Sequence, residues 1–271
     1  MSKNSIKRVV NAIQKFYPVH LADKTWDNTG LLVDSSYDDH SAPIKVLLTI
    51  DLTQSVADEA VSNGVGLIMA YHPFIFRGLK SITQNDPQQR SLLKLIKNNI
   101  SVYSPHTAVD SAKGGVNDFL VQGIVGTNEI TSSVPIEQDS SDADCGMGRL
   151  VTLSQPLKLT KLISNAKSHL GLKHVQVATS DINRDVSTIA VCAGSGGGVF
   201  KGVQADLYFT GELSHHEALF FKESGSSVLC CNHSNTERAF LKTIQAQLQN
   251  ELEADDVVII SQVDKDPFEV Y

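Results

Sequence analysis

The feature that most constrains this chain is an alternation. Short apolar runs take turns with stretches whose apolar residues recur every three or four positions, along most of the length. Residues 44–50 read as a buried strand, and a helix follows around 53–62. Residues 66–70 read as the next strand. Residues 87–98 then read as a helix with Leu92, Leu93 and Ile96 inward. A strand over 100–104 and a short helix over 116–122 continue the rhythm. Such alternation predicts an α/β sheet with crossover helices.

An acidic, serine-rich stretch, 136–144 (IEQDSSDAD), interrupts the rhythm and predicts an exposed loop. Beyond it the pattern gives a strand over 147–153, a helix over 157–170, and strands over 174–179 and 188–193. Then come a strand over 206–210, a helix over 215–223, a strand over 227–231, a helix from Thr236 and a strand over 257–260. Segments 66–76 (GLIMAYHPFIF) and 205–221 (ADLYFTGELSHHEALFF) both run from small residues through an apolar strand to histidine, a weak sign of internal duplication.

With 271 residues the chain has room for one large domain or two small ones. Its formal net charge of −7 argues against broad binding to nucleic-acid phosphates. No apolar run is long enough to span a bilayer. Cys145, Cys192, Cys230 and Cys231 form no C-x-x-C pair and no evenly spaced framework, so a reducing, cytoplasmic setting is expected. Lys3, Lys7, Arg8 and Lys15 precede the first acid, Asp23, which also suits a mitochondrial address. Against that, Ile6, Val9, Val10, Ile13 and Phe16 share one helical face, as a structural first helix requires.

Three strand ends carry chemistry. His72 stands after an apolar strand and before Pro73, which biases it to extended backbone. Strand 100–104 ends at SPHTAVD, with His106, Thr107 and Asp110 close together. Strand 227–231 ends at CNHSNTERAFL, where His233 and Glu237 stand one helical turn apart. Two readings of the last stretch compete. Ser234 and Glu237 fit the S-x-x-E capping box, whereas His233 and Glu237 could share one cation. Parallel strands would bring such ends to one edge of a sheet, where ligands bind in open α/β folds. Imidazoles with carboxylates suit zinc, manganese, iron or nickel better than magnesium or calcium.

AGSGGGVF (193–200) is a glycine-rich turn after a strand. The N–H groups of Gly194, Ser195, Gly196 and Gly197 could cradle a phosphate or serve a tight turn, but there is no P-loop Lys-Ser/Thr. In TGELSHHEAL (210–219), Ser214 and Glu217 fit a capping box, and His215 or His216 is expected to line a site without binding the first metal. WDNTGLL (26–32) holds the one tryptophan beside a turn. Nothing in its composition dictates a chemistry.

WDNTGLLVD, GLIMAYHPFIFRGLKSIT, SPHTAVDSAKGGVND, AGSGGG, ADLYFTGELSHHEAL and NHSNTERAFL occur in this order over nearly the whole chain. The set resembles the Nif-three-like family, named for Ngg-one-interacting factor three and also labelled GTP cyclohydrolase one type two. The length is similar to its short form, which lacks an inserted domain. The resemblance implies one Nif-three-like unit over 1–271. It would consist of two interlinked α/β lobes, approximately 1–135 and 145–271, joined by the loop 136–144, with a dinuclear metal site at their junction. It implies His72, Asp110, His233 and Glu237 as ligands, with Glu237 bridging, and a ring-shaped homohexamer. Many members carry two consecutive histidines where this chain has Tyr71-His72. Tyrosine is a poor ligand unless deprotonated, so one ion, or a second weaker one helped by His106, is expected.

Two functions follow as expectations. One is a metal-dependent, GTP cyclohydrolase-like hydrolase on a nucleotide-like substrate, with His106 or His215 moving protons and the glycine turn near Ser195 seating phosphates. The other is a binding factor for a transcriptional coactivator protein, its metal structural or vestigial. Neither calls for a membrane, and neither carries a nucleic-acid signal.

Overall fold

The computed structural model describes residues 5–35 and 43–270. Lys3 of the basic N-terminal stretch lies outside the described residues. In chain order the elements begin α1 (Ser5–Phe16), β1 (Gly30–Val33), β2 (Lys45–Thr49), α2 (Gln54–Ser62) and β3 (Leu67–Ala70). They continue α3 (Pro87–Lys97), β4 (Ser101–Ser104), α4 (Thr107–Ser111), α5 (Val116–Val125), β5 (Ile130–Val134), β6 (Glu137–Gln138) and β7 (Gly146–Met147). Next come β8 (Arg149–Lys158), α6 (Leu159–Leu170), β9 (Gln176–Ala178), β10 (Asp185–Ser195) and β11 (Leu207–Glu212). The last are α7 (His215–Glu223), β12 (Ser227–Cys230), α8 (Asn235–Arg238), α9 (Leu241–Glu251) and β13 (Val257–Ile260). This is the mixed α/β architecture that the alternation predicts.

The chain forms two compact units. The first comprises Met1–Val109 and Leu241–Lys265, the second Asp110–Phe240 and Asp266–Tyr271.

The first unit is built on a sheet of order β1-β4-β3-β2-β13. Neighbours from β4 to β13 pair in parallel, and β1 adds an antiparallel edge. Strands β2 and β3 are buried on both faces, so Val46, Leu47, Leu48, Leu67 and Ile68 read as continuous apolar runs rather than alternating ones. Helices α2 and α3 pack against that sheet through Val56, Ala57, Ala60, Leu92 and Leu95. Leu93 and Ile96, expected inward, are half-buried. Each helix starts on a side-chain cap, Thr53 accepting from Val56 N–H and Asp86 from Gln89 N–H, with Pro87 in the first turn. Helix α1 buries Ile6, Val9, Ala12 and Ile13, as its apolar stripe requires. Its Arg8 guanidinium grips Asp256 just before β13 through two hydrogen bonds, 3.0 and 2.8 Å.

The second unit is a mixed sheet of order β5-β8-β10-β11-β12-β9. Strands β10, β11 and β12 run parallel, and the outer pairings are antiparallel. Expectation and structure differ at two boundaries. Strand β8 runs through Lys158 before α6 begins, because its far end pairs with the start of β10, Leu157 opposite Val186 and Lys158 opposite Asp185. The helix expected from Thr236 is two helices. Buried Phe240 packs against Phe119 at the break, 5.4 Å between rings, and the chain passes from the second unit to the first there. The acidic stretch 136–144 lies within the second unit, mostly exposed, with Glu137–Gln138 paired to Gly146–Met147. Behind it Arg149 is buried, held by Asp118 and by the carbonyls of Gly146 and Gly148, 2.7 Å each.

No described helix is long and apolar enough to cross a membrane.

Candidate metal centre

In the first unit the parallel strands β2, β3 and β4 end along one edge, and each end carries a polar side chain. Asp51 follows β2, His72 follows β3, and His106 follows β4. His72 Nδ1 lies 2.9 Å from Asp51 Oδ1. His106 Nδ1 lies 2.7 Å from Asp27 Oδ1, and Thr107 donates to the other carboxylate oxygen of Asp27. Burial alone would raise the Asp27 carboxyl. Hydrogen bonds from His106, Thr107 and the Asn28 N–H, with the His106 charge, hold it below its ordinary range instead. The WDNTG segment, mute in the sequence, is therefore a clamp on His106, whose own φ of 36° is left-handed. The two imidazoles meet edge to face, 5.4 Å between centroids. Tyr71, 1 % exposed, packs edge-on to both His72 and His106 as a buried aromatic.

In the second unit the same construction recurs on other strands. Glu212 ends β11, and His233 follows β12 after Asn232, whose φ of 67° turns the chain. His233 Nδ1 lies 2.9 Å from Glu212 Oε1, and His233 Nε2 lies 3.4 Å from Glu237 Oε1. The Glu237 carboxylate is on α8 and 3 % exposed. The expectation that one sheet carries all three histidines is corrected here: His72 and His106 follow strands of one sheet, His233 a strand of another.

The capping-box reading of 234–237 is also corrected. Ser234 has helical backbone angles and makes no side-chain cap; its hydroxyl donates to Asp266 instead, 3.1 Å. Glu237 is thus not consumed by a helix end. By contrast Ser214 and Glu217 do form a capping box on α7. His215, the first residue of α7, and His216 are exposed, their rings 5.2 Å apart. His216 lines a cavity of about 1020 Å³ with Gly197, Phe200 and Tyr208.

The glycine turn serves close approach. Strand β10 bulges between Cys192 and Ser195, and Gly194 there has φ +63°. A Cβ on Gly194 would stand 2.8 Å from His233 Nε2 and 3.0 Å from Glu237 Oε1. Its N–H donates to Thr236 Oγ1, 2.9 Å, and Thr236 donates to the His233 carbonyl, 2.7 Å. That N–H is therefore engaged within the protein. Ser195, exposed, sits opposite Glu212 in the strand register, and Gly197 lies against the Glu217 carboxylate. Asp110 on α4 is buried, with its carbonyl held by Asn117 Nδ2 at 2.9 Å. Nearby Cys192 is inert: burial first, then the charges of Asp110, Glu137 and Glu237, push its thiol far up.

Among the described residues, His72, His233 and Glu237 form a group able to hold a metal ion. Asp110 and His106 are not members of it. The residues suit a cation by their chemistry: two imidazoles and one carboxylate are a donor set for borderline metals. Each imidazole has Nδ1 tied to a carboxylate, which fixes the orientation of the ring, as is usual at metal sites. Asp51 and Glu212 escaped sequence reasoning, since each lies 21 residues from its histidine. The available signal was position, a carboxylate at the end of a parallel strand.

Comparison with known proteins agrees. The family model described as Duf34/NIF3 (NGG1p interacting factor 3) matches residues 4–267. The Protein NIF3 homolog of Schizosaccharomyces pombe is 50 % identical, covering 98 % of this chain and 99 % of its own. The NGG1-interacting factor 3 of Saccharomyces cerevisiae is 45 % identical, covering 100 % and 98 %. The GTP cyclohydrolase 1 type 2 homolog of Clostridium perfringens is 36 % identical, covering 96 % and 97 %. In fold, a Bacillus cereus protein related to NIF3 superposes with a TM-score of 0.81 at 22 % identity, over 98 % of both chains. The order of motifs, the architecture and these matches make one conclusion: the chain belongs to the Duf34/NIF3 family.

Proposed function

We propose that this protein is a metal-dependent hydrolase acting on a nucleotide-like substrate. His72, His233 and Glu237 are its core ligands, and Asp110 is the further carboxylate of the set. The observation that carries the reading is the pairing of His72 with Asp51 and of His233 with Glu212, both through Nδ1. These residues would hold a divalent cation such as zinc, manganese, iron or nickel, which would supply Lewis-acid activation of water.

The chain's own groups do the rest. Asp27 and Thr107 orient His106, so its Nε2 is the atom that passes a proton to or from a substrate. His215, exposed at the first turn of α7, is the second candidate for that role. The glycine turn of Gly194, Ser195, Gly196 and Gly197 is a poor seat for phosphate, since the Gly194 N–H is engaged by Thr236 and Gly197 lies against the Glu217 carboxylate. The substrate class follows the name of the Clostridium perfringens relative. The proposed reaction adds one water to open a guanine imidazole ring to a formamide and a second water to release formate. The protein would work as a homohexamer in the cytoplasm, a mitochondrial address being the alternative.

The test is formate release from GTP by metal-loaded protein, beside Glu237→Ala. Turnover that requires both metal and Glu237 supports the reading. Metal-loaded protein that turns over neither GTP nor any other nucleotide overturns it.

A second reading, a partner-binding factor with a structural metal, is favoured by Leu219 and Phe220, large apolar side chains exposed on α7. The name NGG1-interacting factor 3, carried by the Saccharomyces cerevisiae relative, supports a coactivator-type protein as that partner.

A further inference from the structure

The protein has one tryptophan, and it is not in the core. Trp26 is 52 % exposed although a buried indole would stabilise the fold. Its surroundings hold it in place all the same. The next residue, Asp27, is locked to His106 and Thr107, and Asn28 binds the Ile75 carbonyl. Two partners fix the ring's tilt: Trp26 meets His106 edge to face at 5.7 Å and Phe76 at 6.1 Å with 56° between planes. Phe76 is itself 45 % exposed. Two half-open aromatic rings, rigidly mounted beside a candidate proton carrier, form a platform with nothing stacked on it among the described residues.

The loop that brings Phe76 also brings charge. Between β3 and α3 it reads FIFRGLKSI over residues 74–82, with Arg77 and Lys80 exposed and no carboxylate before Asp86. In a chain of net charge −7 that is a local reversal of sign. Neither cation has a salt-bridge partner among the described residues. Aromatic faces joined to unpaired cations are the combination that recognises a base with its phosphates, because every base has a π-face and phosphate draws Lys and Arg.

We propose that Trp26 and Phe76 form a stacking platform for the planar nitrogen-heteroaromatic ring of a nucleotide, with Arg77 and Lys80 receiving its phosphates. This deepens the hydrolase reading and rests on it for the reaction, but not for binding. Trp26 and Phe76 would choose among substrates by ring, and the loop would choose phosphorylated forms over free bases.

The lone tryptophan makes the test direct. Excited at the red edge, where the six tyrosines do not absorb, the full-length, metal-loaded protein reports Trp26 by its intrinsic fluorescence. GTP, guanosine and inorganic triphosphate are titrated against wild type, Phe76→Ala and the Arg77→Ala/Lys80→Ala double variant. Binding to Trp26→Ala is followed by calorimetry, with circular dichroism and metal content as controls on folding. The expected result is saturable quenching by GTP and guanosine but not by triphosphate. Trp26→Ala is expected to weaken GTP by roughly tenfold or more. The double variant should weaken GTP far more than guanosine. GTP that binds by calorimetry without quenching, and equally well to Trp26→Ala, overturns the platform and leaves the hydrolase reading standing. Quenching without any turnover upholds the platform and removes the hydrolase. A Trp26 already shielded from acrylamide in the free protein, as burial under a second copy or a peptide would cause, also overturns it.

Discussion

Each histidine at the candidate centre is only half of a functional unit. A bare imidazole on a loop samples two tautomers and several rotamers; one whose Nδ1 is hydrogen-bonded to a carboxylate presents Nε2 in a fixed direction. In the proposed centre Asp51 and Glu212 would therefore be positioning residues. Asp51→Asn and Glu212→Gln should each weaken metal affinity by roughly 10–100-fold in chelator competition, with unchanged thermal unfolding of the metal-free protein. Unchanged affinity would remove the pairing from the account. Gly194 acts by absence. Its φ of +63° and the closeness of its missing Cβ to His233 and Glu237 leave no room for a side chain. Gly194→Ala should cost about 1–2 kcal/mol from backbone strain. It should also empty the metal site in a protein that still folds, which metal analysis beside a thermal melt checks. His72, His233 and Glu237, which form the group able to hold a metal, stood out in the sequence as polar residues after strand ends and as what the family resemblance implies. Asp51, Glu212 and Asp27 did not, because their partners come from neighbouring strands and loops, and a single chain of letters does not display lateral neighbours.

At the scale of elements, strands buried on both faces were easy to read: Val46–Leu47–Leu48 and Leu67–Ile68–Met69 have nothing polar to confuse them. Helix α7 was equally plain, since its capping box marks the start. The break between α8 and α9 was hidden, because Phe240 continues the apolar spacing while serving as an anchor against Phe119. The tie between α1 and β13 was hidden for the same reason as the metal partners, Arg8 and Asp256 being 248 residues apart. That tie has a pH signature. Burial works to raise the Asp256 carboxyl, but the Arg8 hydrogen bonds and charge, with the Ile44 and Glu253 N–H groups, hold it below its ordinary range. A depressed folded value means the contribution is complete above the unfolded pKa of about 3.9 and is lost as pH falls through the folded one. Asp256→Asn should cost about 2 kcal/mol at pH 7 and should flatten the loss of stability below about pH 4. Denaturant unfolding from about pH 2.5 to about pH 7 checks this; a variant as acid-sensitive as the wild type contradicts it.

For the whole molecule, the alternation of strand and helix already implied a mixed α/β protein, and the observed sheets and helices agree with that reading. The division into units did not follow the composition. The acidic, loop-like stretch 136–144 falls inside the second unit, while the chain crosses between units inside α4, at the short break before α9 and again after Lys265. Boundaries set by which sheet a strand joins leave no mark on local polarity, so a polar stretch is a poor guide to them. The account's central claim is that His72, His233 and Glu237 together hold a divalent metal. The most direct measurement is metal content by mass spectrometry on untagged protein purified without chelator, beside His72→Ala, His233→Ala and Glu237→Ala. The account predicts near-stoichiometric metal in the wild type and its loss in all three variants, each still folded. Wild-type protein that is folded, metal-free and still empty after incubation with zinc, manganese, iron or nickel would contradict it.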